Sequence, residues 1–128
     1  MLAYPAELKY VKSHEYVRLE EGNIATIGIT AFAADQLGDV TYVELPAVGA
    51  KFKFEQKFGV IESVKSVSDL FMPVSGEIVA VNDKLASEPE LVNEDCYQKG
   101  WMIQVKLDDP KEFEKGMSAE SYKEFIVD

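Results

Sequence analysis

The strongest constraint on the fold of this chain is a series of short runs in which apolar and polar residues alternate. Runs at residues 16–20 and 24–29 flank Glu21-Gly22-Asn23, and further runs follow from Asp39 onward, bounded by Gly, Pro, Asn or Asp. Alternation with a period of two is typical of strands that bury one face, and the bounding residue types favour turns. The sequence therefore predicts a mainly β fold of antiparallel strands that begins with a hairpin.

Three segments interrupt this pattern with helical features. Thr30 can cap a short helix over residues 31–37, and Gly38 suits the position after its end. Residues 89–94 predict a helical turn inside a long loop. After Ser118, another good capping residue, four apolar residues share one face of a predicted C-terminal helix: Ala119, Tyr122, Phe125 and Ile126. We expect that face to pack on the sheets.

The size and charge of the chain limit its class. Residues 1–128 are enough for a single domain, with a core at about 8–107 and a helical extension at about 110–127. A formal net charge of −10 would repel a phosphate backbone, so we expect no nucleic acid partner. No stretch approaches a membrane span, and the single cysteine, Cys96, permits no internal disulfide. We therefore expect a monomer in the cytoplasm, or in the mitochondrial matrix if the chain is a processed imported protein.

The segment GVIESVKSVSDLFMPVSGEIVAVN, residues 59–82, places its only cation, Lys65, at the expected tip of a hairpin. Val64 and Val67 are stiff β-branched residues, and small serines complete the surroundings: Ser63, Ser66 and Ser68. A lone surface lysine is most often a solvated charge. A protruding amine on a well-defined turn also suits enzymatic acylation, and a group on so long an arm would reach an effective concentration of about millimolar at a partner site.

The same segment resembles the lipoyl-attachment segment of the glycine cleavage system H-protein family, which belongs to the biotinyl/lipoyl attachment-domain superfamily. Three further segments extend the resemblance, in the family order, over about residues 8–127: KYVKSHEYVRLEEGNIATIGIT, AFAADQLGDVTYVELPAVGAKF and PELVNEDCYQKGWMIQVKLDDP. The resemblance implies a lipoyl-domain-like sandwich, a flattened barrel of antiparallel sheets with short peripheral helices and a C-terminal helix.

The resemblance also implies a function. Lys65 would carry lipoate in amide linkage, with Glu62 and Ser66 in the family context of the attachment turn. The lipoyl group would accept an aminomethyl group from glycine decarboxylase (P protein), deliver it to the aminomethyltransferase (T protein) and be reoxidised by dihydrolipoamide dehydrogenase (L protein). Lipoyl- or octanoyl-transferring enzymes would be further partners. The chain would be a carrier and not an enzyme.

A loaded arm would need protection from water, and the resemblance points to Ser13, Glu15 and Asp69 as the shelter. We expect the carboxylate of Glu15 to be ionised at neutral pH, since an ordinary carboxyl group titrates near pH ~4, and to accept a charge-assisted hydrogen bond from the cationic amine. The alternative is that both carboxylates only solubilise the surface.

Other carriers of this architecture remain alternatives. Biotin carriers typically flank their lysine with methionines, whereas Val64 and Ser66 flank Lys65 here, and lipoyl domains of 2-oxoacid dehydrogenases usually have Asp before the lysine. An octanoyl or lipoyl relay in lipoate assembly, or a binding module that is never modified, also stays open. Three departures from the family pattern stand out: Tyr16 where Trp is frequent, residues 51–57 in place of a glycine-containing turn, and Cys96 where Pro is frequent.

A different class of function, a hydrolase, would use Ser13 or Ser66 as nucleophile with His14 and Asp69. No nucleophile-elbow pattern surrounds either serine. One His and one Cys make a metal site improbable, and we expect none.

The structural expectation is that Lys65 is exposed at a hairpin turn and that alternating apolar residues of facing sheets form much of the core. These core residues are Val60, Ile61, Val79, Val81, Ile103 and Val105.

Overall fold

The computed structural model describes residues 2–127. In this range nine strands are present: β1 Lys9–Tyr10, β2 Glu15–Leu19, β3 Ile24–Ile29, β4 Val40–Glu44, β5 Lys51–Phe52, β6 Lys57–Ser63, β7 Val67–Phe71, β8 Gly76–Val81 and β9 Ile103–Leu107. The helices are α1 Ala31–Leu37, α2 Leu91–Glu94 and α3 Ala119–Val127, with 3-10 turns at Glu21–Asn23, Asp83–Ala86 and Pro110–Lys115. No helix within residues 2–127 combines the length and the hydropathy that a membrane crossing requires.

The strands form two antiparallel sheets. One sheet has six strands in the order β1-β2-β3-β9-β8-β5, and the other has three in the order β4-β6-β7. Apolar side chains from the two sheets interdigitate in one core, to which Ile27, Ile61 and Ile103 each contribute a nearly inaccessible side chain. The prediction of a mainly β sandwich with short helices and a C-terminal helix is confirmed.

The predicted hairpin and first helix are confirmed in detail. β2 and β3 pair in antiparallel register, with Val17 opposite Ile27. Thr30 Oγ1 accepts a hydrogen bond from Ala33 N–H at 3.2 Å, which caps α1. Gly38 ends the helix at φ 77°, a left-handed conformation that glycine adopts at little cost.

The C-terminal helix packs on the β1–β2 edge of the six-stranded sheet. Its Tyr122 ring stacks on Tyr10 at a centroid distance of 4.8 Å, and both side chains are fully buried. Ser118 Oγ accepts from Ser121 N–H at 3.2 Å and so caps the helix as predicted. On the expected apolar face, however, Phe125 is 39% exposed.

The predicted core is wrong at one position. Ile61, Ile103 and Val105 are buried, Val60 and Val81 are half-buried, and Val79 is exposed. Ile78 takes the inward position, and the pairing of β8 with β9 shifts register between Ile78 and Ala80. Because residues 78–81 are all apolar, alternation alone does not determine which of them point inward.

Two of the departures from the family pattern lie against each other. Tyr16 is buried, and its Oη donates to the carbonyl oxygen of Cys96 at 2.7 Å. Gly28 makes room for the ring, because a Cβ at this position would lie 2.7 Å from Tyr16 Oη.

The third departure, residues 51–57, still forms a turn. Gln56 N–H donates to the carbonyl of Lys53 at 3.0 Å, and Glu55 has a left-handed φ of 72°. A left-handed backbone is energetically unfavourable for a residue other than glycine. The sequence pattern therefore did not predict the geometry of this turn.

Candidate functional site

Lys65 lies on a turn that is held by short hydrogen bonds. β6 and β7 pair antiparallel up to Glu62 and Val67, and Ser63 N–H then donates to the carbonyl of Ser66 at 2.8 Å. Ser63 Oγ accepts from the backbone N–H of Ser66 at 3.1 Å and of Lys65 at 3.3 Å. The lysine is therefore presented on a turn with a defined backbone.

A further contact fixes the turn, which we call the lysine turn (residues 63–66), to the rest of the domain. Val64 N–H donates to the carbonyl of Asp39 at 3.1 Å, just beyond the end of α1. The side chain of Lys65 is exposed and passes beside Gly38, where a Cβ would lie 3.5 Å from Lys65 Cε. Among residues 2–127 no carboxylate forms an ion pair with Lys65. Its amine is accessible.

Glu62 and Ser66 have different roles beside the lysine. Ser66 closes the turn through its backbone. Glu62 is half-buried on the outer face of the three-stranded sheet, where its register partners are Tyr42 on one side and Val67 on the other. Glu62 thus sits between two exposed large side chains, Tyr42 and Val67.

A cavity of about 360 Å³ opens next to the lysine turn. Ser66 and Ser68 line it from the lysine hairpin, residues of α1 contribute further lining, and Ser13 and His14 line it from the segment before β2. Its volume lies at the lower end of the range that holds small organic ligands, about 300–1,000 Å³. The lysine turn thus has a concave surface beside it.

The structure brings Ser13 and Glu15 together. Ser13 Oγ donates a hydrogen bond to Glu15 Oε1, and Glu15 Oε2 accepts from the backbone N–H of Phe71 at 3.1 Å. Glu15 is only 1% exposed, and burial raises the pKa of its carboxyl group to about 7 although both hydrogen bonds act to lower it. The expectation of an ordinary, fully ionised Glu15 is therefore wrong, and a carboxyl group so deeply buried does not serve to solubilise the surface.

The side chain of Asp69 does not join this pair. It is half-exposed and forms an ion pair with Lys57 Nζ at 3.2 Å. Because side chains alternate along a strand, Asp69 lies on the opposite face of β7 from Ser68 and Leu70, and Ser68 lines the cavity instead. Alternation counted back from Leu70 is the signal that could have identified Ser68.

The sequence suggests His14 only as the base of a hydrolase, and the structure gives it other partners. Its Nδ1 lies 2.7 Å from Tyr122 Oη, which also lies 2.8 Å from Thr30 Oγ1. Within residues 2–127 no hydrogen bond joins His14 to Ser13, Ser66 or Asp69, so the hydrolase triad is wrong.

Neither a reactive thiol nor a metal-binding group of side chains is found among residues 2–127. Cys96 is buried, and burial raises the pKa of its thiol to about 12, so it stays protonated at neutral pH. Within the described range, no group of three or more His, Cys, Asp or Glu side chains is arranged to hold a metal ion.

Comparisons with known proteins match the chain over nearly its whole length. The sequence model described as "Glycine cleavage H-protein" matches residues 8–128. The "Glycine cleavage system H protein" of Symbiobacterium thermophilum is 53% identical over 125 residues, covering 98% of this chain and 97% of that protein. The protein of the same name from Oceanobacillus iheyensis is 50% identical over 127 residues, covering 99% of this chain and 100% of that protein. A crystal structure of a glycine cleavage system H protein from Mycobacterium marinum superposes with a TM-score of 0.89 at 31% identity, covering 97% of this chain and 99% of that one.

Proposed function

The chain belongs to the glycine cleavage H-protein family, and on that premise we propose that Lys65 carries a lipoyl group in amide linkage. The observation that supports this most directly is the exposed amine of Lys65 on a turn that is hydrogen-bonded internally and to Asp39. An enzyme that acylates a lysine needs an amine that protrudes and is not bound in an ion pair. The lysine turn meets both requirements.

The surroundings of Lys65 fit the proposed group. The cavity of about 360 Å³ begins at Ser66, the residue next to the attachment point, and its walls include apolar side chains of α1 and β7. When bound, the group would supply a disulfide that accepts the aminomethyl group from glycine decarboxylation, passes it to the aminomethyltransferase and is reoxidised by dihydrolipoamide dehydrogenase. The chain itself would act as the carrier and as a substrate of these enzymes, without catalysing a step.

Ser13 and Glu15 are the proposed shelter for the loaded arm. Glu15 is half-ionised near neutral pH because its pKa is about 7, and a cationic amine close to it would favour the ionised form. The oxidised arm carries no such amine, so docking would depend on loading. Asp69 is left out of this proposal because its carboxylate pairs with Lys57 on the other face of β7.

The attachment site is tested by the intact mass of protein made in a lipoylating host. We expect one lipoyl amide on the wild type and none on Lys65→Arg, because arginine keeps the charge but offers no acylatable amine. Lys57→Arg, a change of the same chemistry on the same hairpin, is the control and should be fully lipoylated. Lipoylation that persists in Lys65→Arg would refute the site, and an octanoyl instead of a lipoyl mass would favour the relay alternative.

The shelter is tested by the lifetime of the aminomethyl group on reduced, loaded protein. Glu15→Gln keeps the size of the side chain and removes its charge, so we expect faster release of formaldehyde and ammonia with ordinary lipoylation and reduction. Asp69→Asn is the matched control, since it neutralises a carboxylate on the opposite face of β7, and its lifetime should equal that of the wild type. Equal lifetimes for Glu15→Gln and wild type would rule out Glu15 as the shelter.

A further inference from the structure

One hydroxyl group connects the C-terminal helix to two walls of the cavity. Tyr122 Oη lies 2.7 Å from His14 Nδ1, next to Ser13, and 2.8 Å from Thr30 Oγ1, the cap of α1. The Tyr122 ring is fully buried, so water does not replace these hydrogen bonds. The hydroxyl therefore joins the segment that carries Ser13 and Glu15 to helix α1.

His14 adopts an unfavourable backbone conformation that sets the relative positions of Ser13 and Glu15. Its φ of 74° is left-handed, which costs energy for a residue with a Cβ and persists only where the surroundings maintain it. His14 N–H donates to the carbonyl of Val11 at 2.9 Å, and the carbonyl of His14 accepts from Thr30 N–H at 3.0 Å. This conformation directs the chain so that Ser13 Oγ reaches Glu15 Oε1 across the turn.

The packing of Tyr122 does not by itself require the hydroxyl. The ring stacks on Tyr10 at 4.8 Å and meets Tyr4 edge-on at 5.6 Å, and a phenylalanine would keep both contacts. The bonds to His14 and Thr30 are what phenylalanine would lose.

We infer that Tyr122 and His14 are positioning residues that hold the Ser13–Glu15 pair in place, so that helix α3 supports the cavity in which the loaded arm is sheltered. The role of this pair as a shelter rests on the proposed function. Its positioning by Tyr122 is a property of the unmodified protein and can be measured without any arm.

The first experiment follows the Glu15 carboxyl group by ¹³C NMR in unmodified protein across a pH titration. The Ser13 hydrogen bond lowers the Glu15 pKa, so loosening it by Tyr122→Phe should shift the titration midpoint of Glu15 upward. Tyr4→Phe is the matched control: Tyr4 touches the same ring, and among residues 2–127 its hydroxyl has no hydrogen-bond partner. His14→Asn is the second variant, because asparagine tolerates the left-handed backbone while losing the imidazole contact, and it should shift Glu15 in the same direction.

The second experiment measures the lifetime of the loaded arm in the same variants. Loosening of the Ser13–Glu15 pair by loss of the hydrogen bonds to His14 and Thr30 should shorten this lifetime about threefold to tenfold in Tyr122→Phe, with lipoylation of Lys65 unchanged. A Glu15 titration unchanged in both Tyr122→Phe and His14→Asn would overturn the inference. The titration midpoint of Glu15 could instead shift as expected while Glu15→Gln releases the aminomethyl group no faster than wild type. In that case the positioning role would be supported and the proposed shelter refuted.

Discussion

Two turns meet at the cavity beside α1, and they are stabilised in different ways. In the lysine turn, Ser63 and Ser66 supply most of the hydrogen bonds from within the turn, and no residue has a left-handed backbone. The turn around His14 depends on partners far along the chain: Tyr122 lies 108 residues away, and Phe71 lies 56 residues from Glu15. The comparison indicates that presentation of an amine can be encoded locally, whereas a buried carboxyl pair needs the assembled fold.

The largest expected effect on stability comes from removing Tyr122, the distant partner of His14. Tyr122→Ala deletes a fully buried ring that packs in one apolar cluster with Leu8, Tyr10, Tyr16 and Ala119, and it should lower the free energy of unfolding by about 3–5 kcal/mol. Urea denaturation measures this loss. If the lysine turn is local, amides 63–66 should keep wild-type hydrogen-exchange protection in the folded fraction, while the amides of His14 and Thr30, which are hydrogen-bonded at the other turn, should lose theirs. Equal loss in both turns would break the comparison.

The same contrast explains which features the sequence could predict. The cap at Thr30 and the alternation that predicts the strands are local signals, and they predict these elements correctly, apart from the inward residue of the all-apolar segment 78–81. The burial of Glu15 was missed because Glu is rarely buried and its partners, Ser13 and Phe71, come together only in the folded sheets. His14 illustrates the same limit, since nothing near it in sequence points to Tyr122.

The second prediction concerns stability against pH, where the pair of Ser13 and Glu15 differs from the lysine turn. The Glu15 pKa is raised from 4.5 to about 7 by burial, so the folded state favours the protonated form. The contribution of protonated Glu15 to the free energy of unfolding is therefore fully present below pH 4.5 and is lost as the pH rises through 7. A shift of this size corresponds to roughly 3 kcal/mol.

Glu15→Gln has no such dependence, so its stability relative to wild type should rise by that amount between pH 4.5 and 8. Urea unfolding of both proteins across this range measures the difference. Burial lowers the pKa of His14, and this residue is present in both proteins. A difference that does not change with pH would show that Glu15 is ionised at its ordinary pKa in the folded protein.

The smallest expected effect is at the lysine turn itself. Ser63→Ala removes the hydroxyl that accepts from the N–H groups of Lys65 and Ser66. Because these groups are close to solvent, water can replace the lost acceptor, and the stability loss should be only about 0.5–1 kcal/mol. If this loss acts on the turn alone, it raises the fraction of molecules whose turn does not present Lys65 correctly. The initial rate of lipoylation should then fall about twofold to fivefold.

Mass spectrometry of the modified fraction over time, with purified lipoate-transferring enzyme, measures this rate. Ser68→Ala is the control, since Ser68 lines the cavity but does not close the turn, and it should be modified at the wild-type rate. A stability loss at Ser63 as large as that at Tyr122 would mean that the lysine turn also depends on the assembled fold. A small loss with a slower rate would show that the turn's own hydrogen bonds present the amine, because the rest of the domain would be unchanged.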